Sequence, residues 1–376
     1  MPNKPPHSPK RPCLASTDLD SSSFLWGQLS QALLDWYGHA GRDLPWRRTR
    51  DVYAIWISEI MLQQTQVKTV LPYYDRWLKQ FPDFETLAAA DLQTVLKAWE
   101  GLGYYSRAKN LHRTAQAIVA DFDGQFPQDL DQVMSLPGIG RTTAGGILSA
   151  AFNLPLPIMD GNVKRVLARL VGLEQPPAKA LPQLWEVSSN LVPAKAGRDF
   201  NQALMDLGAT LCTPKQPACD RCPWAFACQA KAQHRQTALP IVERKAPLPH
   251  RDFLVAVVSN SQAAILIHQR PDKGLLANLW DFPTVEVEGL SADSSLEPLT
   301  DHLMQNFGLT IEPRYAILQV HHTYTHFKAT YHVYQCDCET VVATNIQGKW
   351  VGVKQLTQFP FPKSHLKIID AIRSLP

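Results

Sequence analysis

The sequence predicts a multidomain chain: an all-α N-terminal part that ends in a four-cysteine loop, then a linker, then an α+β domain. Three observations predict this. Apolar residues recur at helical spacing from Phe24 to Ala209, and strand-like stretches are scarce before Ala230. A Pro-Gly-Ile-Gly turn at residues 137–140 separates two helical segments. Beyond His250 the pattern changes to strands, with two helical stretches interleaved.

The 376 residues suffice for two or three domains with real cores. Hydrophobic residues make up 45%, yet no run approaches the roughly 18 apolar residues of a membrane span, so a membrane partner is not expected. Met1 to Ser23 is rich in Pro, Ser and Lys without the apolar core of a secretory signal, and is expected to be a disordered tail. The formal charge of +3 is too small to establish nucleic-acid binding. Local clusters must argue that point: Arg42, Arg47, Arg48 and Arg50, then Lys164, Arg165 and Arg169. A solvated face is the alternative for each.

Along the chain, Phe24–Tyr37 has a helical period and is followed by the loop Arg42-Asp-Leu-Pro-Trp-Arg47. An aromatic between cations can hold a flat base; a buried Trp anchor is the alternative. Val52–Leu71 is expected to be one densely apolar helix containing a single acid, Glu59. Apolar surroundings raise a carboxyl pKa toward the range of a general acid. The alternative is a Glu on the exposed stripe, against which stands the polar quartet Gln63 to Gln66 one turn later. Helices are expected again over Asp91–Lys97 and Tyr105–Ala120. Between them, Trp99-Glu-Gly-Leu-Gly-Tyr-Tyr-Ser-Arg107 presents two tyrosines, either as wedges for a base stack or as core.

Gly138 and Gly140, beside Leu136, leave bare backbone just before a helix start, where N–H groups and the dipole favour an anion such as a phosphate; an ordinary tight turn is the alternative. Asp160 precedes another helix, as a plain N-cap or as a catalytic carboxylate. Two more helices are expected within 181–210. Cys212, Cys219, Cys222 and Cys228 then follow as C-x6-C-x2-C-x5-C. In an intracellular protein four thiolates so grouped suggest a metal centre rather than disulfides, with zinc and an iron–sulfur cluster both open on spacing alone. The exposed-looking Lys215 and Arg221 would meet phosphates.

Residues 231–250 read as a linker. Strands are expected at Phe253–Val258, Ala263–Gln269, Ile311–Val320, Phe327–Gln335 and Trp350–Val353, with helices at Leu296–Asn306 and Lys363–Arg373. His321, His322 and His326 lack an acid or Cys at ligand spacing and read as hairpin residues rather than metal ligands.

Together the Pro-Gly-Ile-Gly turn, Asp160-Gly-Asn-Val-Lys-Arg-Val-Leu, Glu59-Ile-Met-Leu-Gln-Gln-Thr-Gln, Arg42-Asp-Leu-Pro-Trp-Arg47, Trp99 to Arg107, Phe200 to Ala209 and the cysteine spacing resemble the helix–hairpin–helix, iron–sulfur DNA glycosylases. Within them the match is to the MutY-type adenine DNA glycosylases, from about Phe24 to Cys228 and more loosely beyond. The resemblance implies a glycosylase domain over 24–230 with its cluster loop at 212–228, and a Nudix-like lesion-recognition domain over 251–376. It implies a monomeric base-excision enzyme that removes adenine mispaired with 8-oxoguanine or guanine in duplex DNA. Glu59 and Asp160 would be its two carboxylates. Arg42, Trp46, Arg47, Leu62 and Gln202 would line the adenine pocket, and Gln64 and Tyr104 would fill or wedge the gap in the duplex. The four cysteines would hold a [4Fe–4S] cluster. Thr142 stands where the related endonuclease III-like enzymes carry a lysine nucleophile, which implies a monofunctional enzyme.

Gly274 to Pro283 carries the Nudix likeness, but Leu296–Asn306 has only Glu297 and Asp301 as acids, so binding without hydrolysis is expected. Tyr324-Thr-His326 stands where the family's lesion loop has Phe-Ser-His, leaving Thr325 and His326 to read the lesion. The rival readings are a bifunctional pyrimidine glycosylase-lyase, a non-enzymatic iron–sulfur DNA-binding protein, and an active nucleotide pyrophosphohydrolase in the C-terminal half. The expected location is the cytoplasm on DNA, or the nucleus in a eukaryotic source.

Overall fold

In the computed structural model, residues 19–243, 246–289, 295–341 and 348–374 are described. The helices are α1 (Leu19–Ala40), α2 (Val52–Leu62), α3 (Val67–Gln80), α4 (Phe84–Ala89), α5 (Leu92–Ala98), α6 (Ser106–Asp121), α7 (Leu130–Ser135), α8 (Arg141–Phe152), α9 (Gly161–Leu170), α10 (Leu181–Leu191), α11 (Gly197–Asp206), α12 (Gln229–Ala232), α13 (Glu297–Phe307) and α14 (Lys363–Ser374). The strands are β1 (His250–Ser259), β2 (Ile265–Gln269), β3 (Trp280–Asp281), β4 (Thr284–Val287), β5 (Leu309–Thr323), β6 (Lys328–Val341) and β7 (Lys349–Val351). No described helix is long and apolar enough to cross a membrane. Two compact units result, one from residues 1–60 and 126–244, the other from 61–125 and 245–376.

Among its described residues the first unit has helices joined by turns and loops and no strand, as its periodicity predicts. On α9, Val163, Val166, Leu167 and Leu170 share one face at i, i+3, i+4 and i+7. That face packs with Leu29 and Leu33 of α1, Leu184 of α10 and Phe200 and Leu204 of α11. Each such side chain contributes about 1.5–3 kcal/mol by leaving water. Trp224 is buried in the same core and donates its indole N–H to the Leu29 carbonyl at 2.8 Å, which ties the cysteine loop to α1. The expected tail lies outside the described residues as far as residue 18. From Leu19 the chain is already helical, so its last five residues belong to α1. The expected linker is also partly structured: Leu239 is buried, and its carbonyl accepts from Arg169 Nε at 2.8 Å.

In the second unit, α3 to α6 form a small helical layer around Trp77 and Trp99, whose rings meet edge to face at 5.4 Å. Asp83 and Asp91 cap α4 and α5 by accepting backbone N–H bonds. The sheet runs β3-β2-β1-β6-β5, with β4 on β1 and β7 on β2. Among the described strands only β1 and β6 pair in parallel. Alternate residues of β1 serve two cores: Val255 and Val257 face α14, while Leu254, Ala256 and Val258 face α13. This two-sided burial is why the strand reads as a continuous apolar run. Strands β3 and β4 escaped the sequence reading; β3 has two residues and is fixed by Asp281, a buried carboxylate held by Arg270 and His365.

The linear division at residue 231–250 is therefore not the division of contacts. Residues 61–125 join the sheet through polar bonds that no periodicity announces. Trp280 Nε1 donates to Gln93 Oε1 at 2.9 Å, Tyr105 Oη to the Phe361 carbonyl at 2.9 Å, and the Phe361 N–H to Glu100 Oε1 at 2.8 Å.

Candidate active site and nucleic-acid interface

Glu59 is on α2, whose residues are buried almost all round. Its carboxylate lies against α8 where Gly146 has no side chain; a Cβ there would stand 3.0 Å from Glu59 Oε2. Burial, then the charge of Asp160, pushes the Glu59 carboxyl from 4.5 up to about 7, with Arg47 opposing. Asp160 is the N-cap of α9, accepting the Val163 N–H at 2.7 Å. Its pKa is raised, because burial outweighs the Val163 and Asn162 N–H groups and the cations Arg165 and Lys164. The helix start by itself does not bring it below its ordinary value. Thr142 is half-buried in the first turn of α8.

The Arg42–Arg47 loop reaches this unit's core through a residue the sequence reading missed. Asp206, fully buried on α11, accepts from the Arg42 N–H at 2.9 Å and Arg42 Nε at 2.7 Å. It also accepts from Arg47 Nη1 and Nη2, each at 2.7 Å. Burial raises the Asp206 carboxyl, but the hydrogen bonds from Arg47 and Arg42 win and hold it below the ordinary value. Arg47 Nε donates to Gln202 Oε1 at 2.6 Å, one helical turn away on α11. The i, i+4 spacing of Gln202 and Asp206 was the available signal. Trp46 is 4% exposed, so it anchors the loop rather than offering an open stacking face.

The basic helix α9 is likewise not one solvated face. Arg169 is 2% exposed and donates to the Thr213 carbonyl at 2.7 Å and the Pro214 carbonyl at 2.9 Å. Arg165 donates to the Cys212 carbonyl at 2.9 Å and to Asn162 Oδ1 at 2.9 Å. Both arginines brace the cysteine loop, because carbonyls at its start have no helical partners. Cys212, Cys219, Cys222 and Cys228 line one cavity with Arg169 and Lys231. Among the described residues no group of three or more His, Cys, Asp or Glu is already gathered closely enough to hold a metal ion. Lys215 and Arg221 are exposed on the loop.

The turn between α7 and α8 buries Leu136 and Ile139 and exposes Gly138 and Gly140. Gly138 has φ +77°, the left-handed region that favours glycine. Gly140 is the N-cap of α8 and supplies no side-chain cap, so the first N–H groups of that helix have no capping side chain.

In the second unit, the helix expected through Leu71 is interrupted: α2 ends at Leu62 and α3 begins at Val67. Gln64 sits between them, exposed, with φ +59°. Leu62 is half-buried at the end of α2. The two tyrosines divide. Tyr105 is buried, whereas Tyr104 is 47% exposed with φ +49°. Thr325 and His326 are exposed at the tip of the β5–β6 hairpin, and Thr325 Oγ1 lies 3.4 Å from Tyr104 Oη as donor. His321 pairs with Thr330 across that hairpin, Nδ1 to Oγ1 at 3.0 Å, as its strand reading predicts.

A helical unit with a glycine hairpin, an apolar-embedded Glu and a capping Asp defines a class, base-excision DNA glycosylases. Residues 57–189 match the HhH-GPD superfamily of base excision DNA repair proteins, and residues 254–371 match the NUDIX domain. The chain belongs to the adenine DNA glycosylase family. It is 39% identical to human adenine DNA glycosylase over 88% of this chain and 70% of that protein. The adenine DNA glycosylase of Buchnera aphidicola subsp. Schizaphis graminum is 33% identical, over 92% of this chain and 98% of its own. A solved thermostable thymine-DNA glycosylase, 29% identical, superposes with a TM-score of 0.53 over 57% of this chain and 100% of its own. The protein is thus a DNA glycosylase of the adenine-removing family, with a helical glycosylase fold and a Nudix-like domain.

Proposed function

We propose that this enzyme hydrolyses the N-glycosidic bond of adenine opposite 8-oxoguanine or guanine in duplex DNA and leaves an abasic site. The observation that carries this reading is Glu59, seated in the notch that Gly146 leaves on α8, where burial and then the charge of Asp160 push its carboxyl up to about 7. Adenine leaves poorly unless protonated, and it must be extruded from the stack to be reached. Glu59 in its acid form delivers a proton to the purine ring. The C–N bond then breaks toward an oxocarbenium-like sugar, which the Asp160 carboxylate stabilises. Water completes the reaction, with Glu59, now a carboxylate, as its base. The Asp206 pair holds Arg42 and Arg47, and through Arg47 Gln202, in place for the adenine. Thr142 has no amine to form a Schiff base, which supports glycosidic hydrolysis without strand cleavage.

The four cysteines line one cavity, and together they would hold a [4Fe–4S] cluster, as four closely grouped thiols can. Ligation there would brace the loop on which Lys215 and Arg221 are exposed to meet phosphates. The Nudix-like domain reads the lesion through Thr325 and His326 and does not hydrolyse nucleotides, since α13 offers only Glu297 and Asp301.

Single-turnover excision on duplexes with A opposite 8-oxoguanine, G, C or T, with and without alkali, tests the proposal. Adenine is expected to leave from the first two, with strand breaks only after alkali; breaks without alkali would reveal a lyase nucleophile. On the same duplexes, Thr325→Ala with His326→Ala is expected to lower the preference for 8-oxoguanine over guanine by about tenfold, the value of one or two lost hydrogen bonds. Unchanged discrimination would remove the lesion-reading assignment.

A further inference from the structure

Arg107 closes the motif that begins at Trp99, and the reading above gives it no task. Arg107 is 7% exposed, and its guanidinium donates to five acceptors in two separate stretches, 61–65 and 102–103. Nη1 donates to the Met61 carbonyl at 2.9 Å and the Gln63 carbonyl at 2.7 Å. Nη2 donates to Thr65 Oγ1 at 3.2 Å, the Leu102 carbonyl at 3.2 Å and the Gly103 carbonyl at 3.0 Å. The cation also lies over the Trp99 ring at 5.1 Å and the Tyr104 ring at 5.6 Å. The acceptors flank Gln64 and Tyr104, the exposed residues with φ +59° and +49°. A left-handed conformation in a residue with a Cβ costs free energy and persists only where its surroundings enforce it.

We propose that Arg107 is a positioning residue for base extrusion, one guanidinium that locks the Gln64 and Tyr104 turns together so that both side chains enter the duplex as a pair. The planar fork suits this task, because its fixed N–H directions reach both turns at once, whereas an ammonium is a single point. The inference rests on the reading that Tyr104 and Gln64 enter the DNA.

The test is stopped-flow fluorescence of 2-aminopurine placed opposite 8-oxoguanine, a base that brightens when unstacked. Arg107→Lys is expected to slow extrusion about tenfold, as small misplacements of positioned groups do, with DNA binding retained. In hydrogen exchange both turns, 61–66 and 101–105, should open faster together. In a Tyr104→Ala background, Arg107→Lys should add little, since both act through one element. Unchanged extrusion in Arg107→Lys, or a full multiplicative loss in the Tyr104→Ala background, overturns the proposal. If Arg107→Lys does not fold, Thr65→Val removes one acceptor and leaves the guanidinium in place. A smaller loss, non-additive with Tyr104→Ala, supports the proposal, and no loss refutes it. Slow extrusion in Tyr104→Ala with normal rates in Arg107→Lys would sink the lock alone. Normal extrusion in Tyr104→Ala, or no adenine release by the wild type, would instead sink the underlying reading.

Discussion

Glu59→Gln is expected to abolish adenine release while making the folded protein more stable above neutral pH. General acid catalysis contributes about 10²–10⁴-fold, and the amide carries no transferable proton, so single-turnover excision should fall by about that factor. DNA binding should be kept. The gain in stability follows from the raised pKa. The fold disfavours ionised Glu59, so the stability tied to its proton is full below 4.5, where the unfolded chain also holds the proton, and is lost as pH rises toward about 7. Above that, wild type carries the whole cost. The shift corresponds to at most about 3 kcal/mol, and to on the order of 1–2 kcal/mol once the side chain's partial solvent access is allowed for. Denaturant midpoints of Glu59→Gln and wild type should therefore coincide near pH 4.5 and diverge by pH 8. Wild-type excision should fall about tenfold per pH unit above about 7, as the proton is lost. Equal midpoints at pH 8 would mean that Glu59 is not held in a desolvated place.

Asp206→Asn is expected to be the most destabilising polar substitution in the first unit. The Asp206 side chain is fully buried and faces Arg47, itself 8% exposed, and Arg42. The amide would turn a donor toward guanidinium N–H groups and leave a buried cation uncompensated. Breaking such a pair costs about 3–5 kcal/mol. Because the Asp206 carboxyl is held below its ordinary value, its contribution is present above the unfolded carboxylate pKa and lost as pH falls. The gap between variant and wild type should thus narrow in acid. Excision should also fall by about 10²-fold, since Arg47 and Gln202 lose their common support. Thermal or denaturant unfolding, with excision on the same preparations, checks both. A loss under about 1 kcal/mol would place the pair among solvated surface bridges.

The first unit was legible because its signals are local. The period of α9 follows from one buried face, and the embedded acid of α2 follows from its apolar neighbours. Asp206 was not legible as a site residue, although the motif containing it was, because nothing within α11 tells which loop its carboxylate meets. The break in α2–α3 was hidden for a related reason. Gln63 to Gln66 are tolerable helix formers, and it is Arg107, more than forty residues later, that supplies the bonds of the turn. Strand β3, only two residues long, has no period to read.

What the sequence by itself determined is the all-α then α+β order, most of the longer helices and strands, the glycine hairpin, the cysteine loop and the residue types available for proton transfer, because periodicity, capping and turn chemistry act over a few residues. Only the tertiary structure decided which charges meet. It set Glu59 near neutrality by burying it, with the Asp160 charge adding to the effect, gave Arg42 and Arg47 one shared carboxylate, turned Arg169 from a surface cation into a brace, and joined two left-handed turns on Arg107. Electrostatic and hydrogen-bond energies depend on distance in space and on burial, and neither is written in the spacing of residues along the chain.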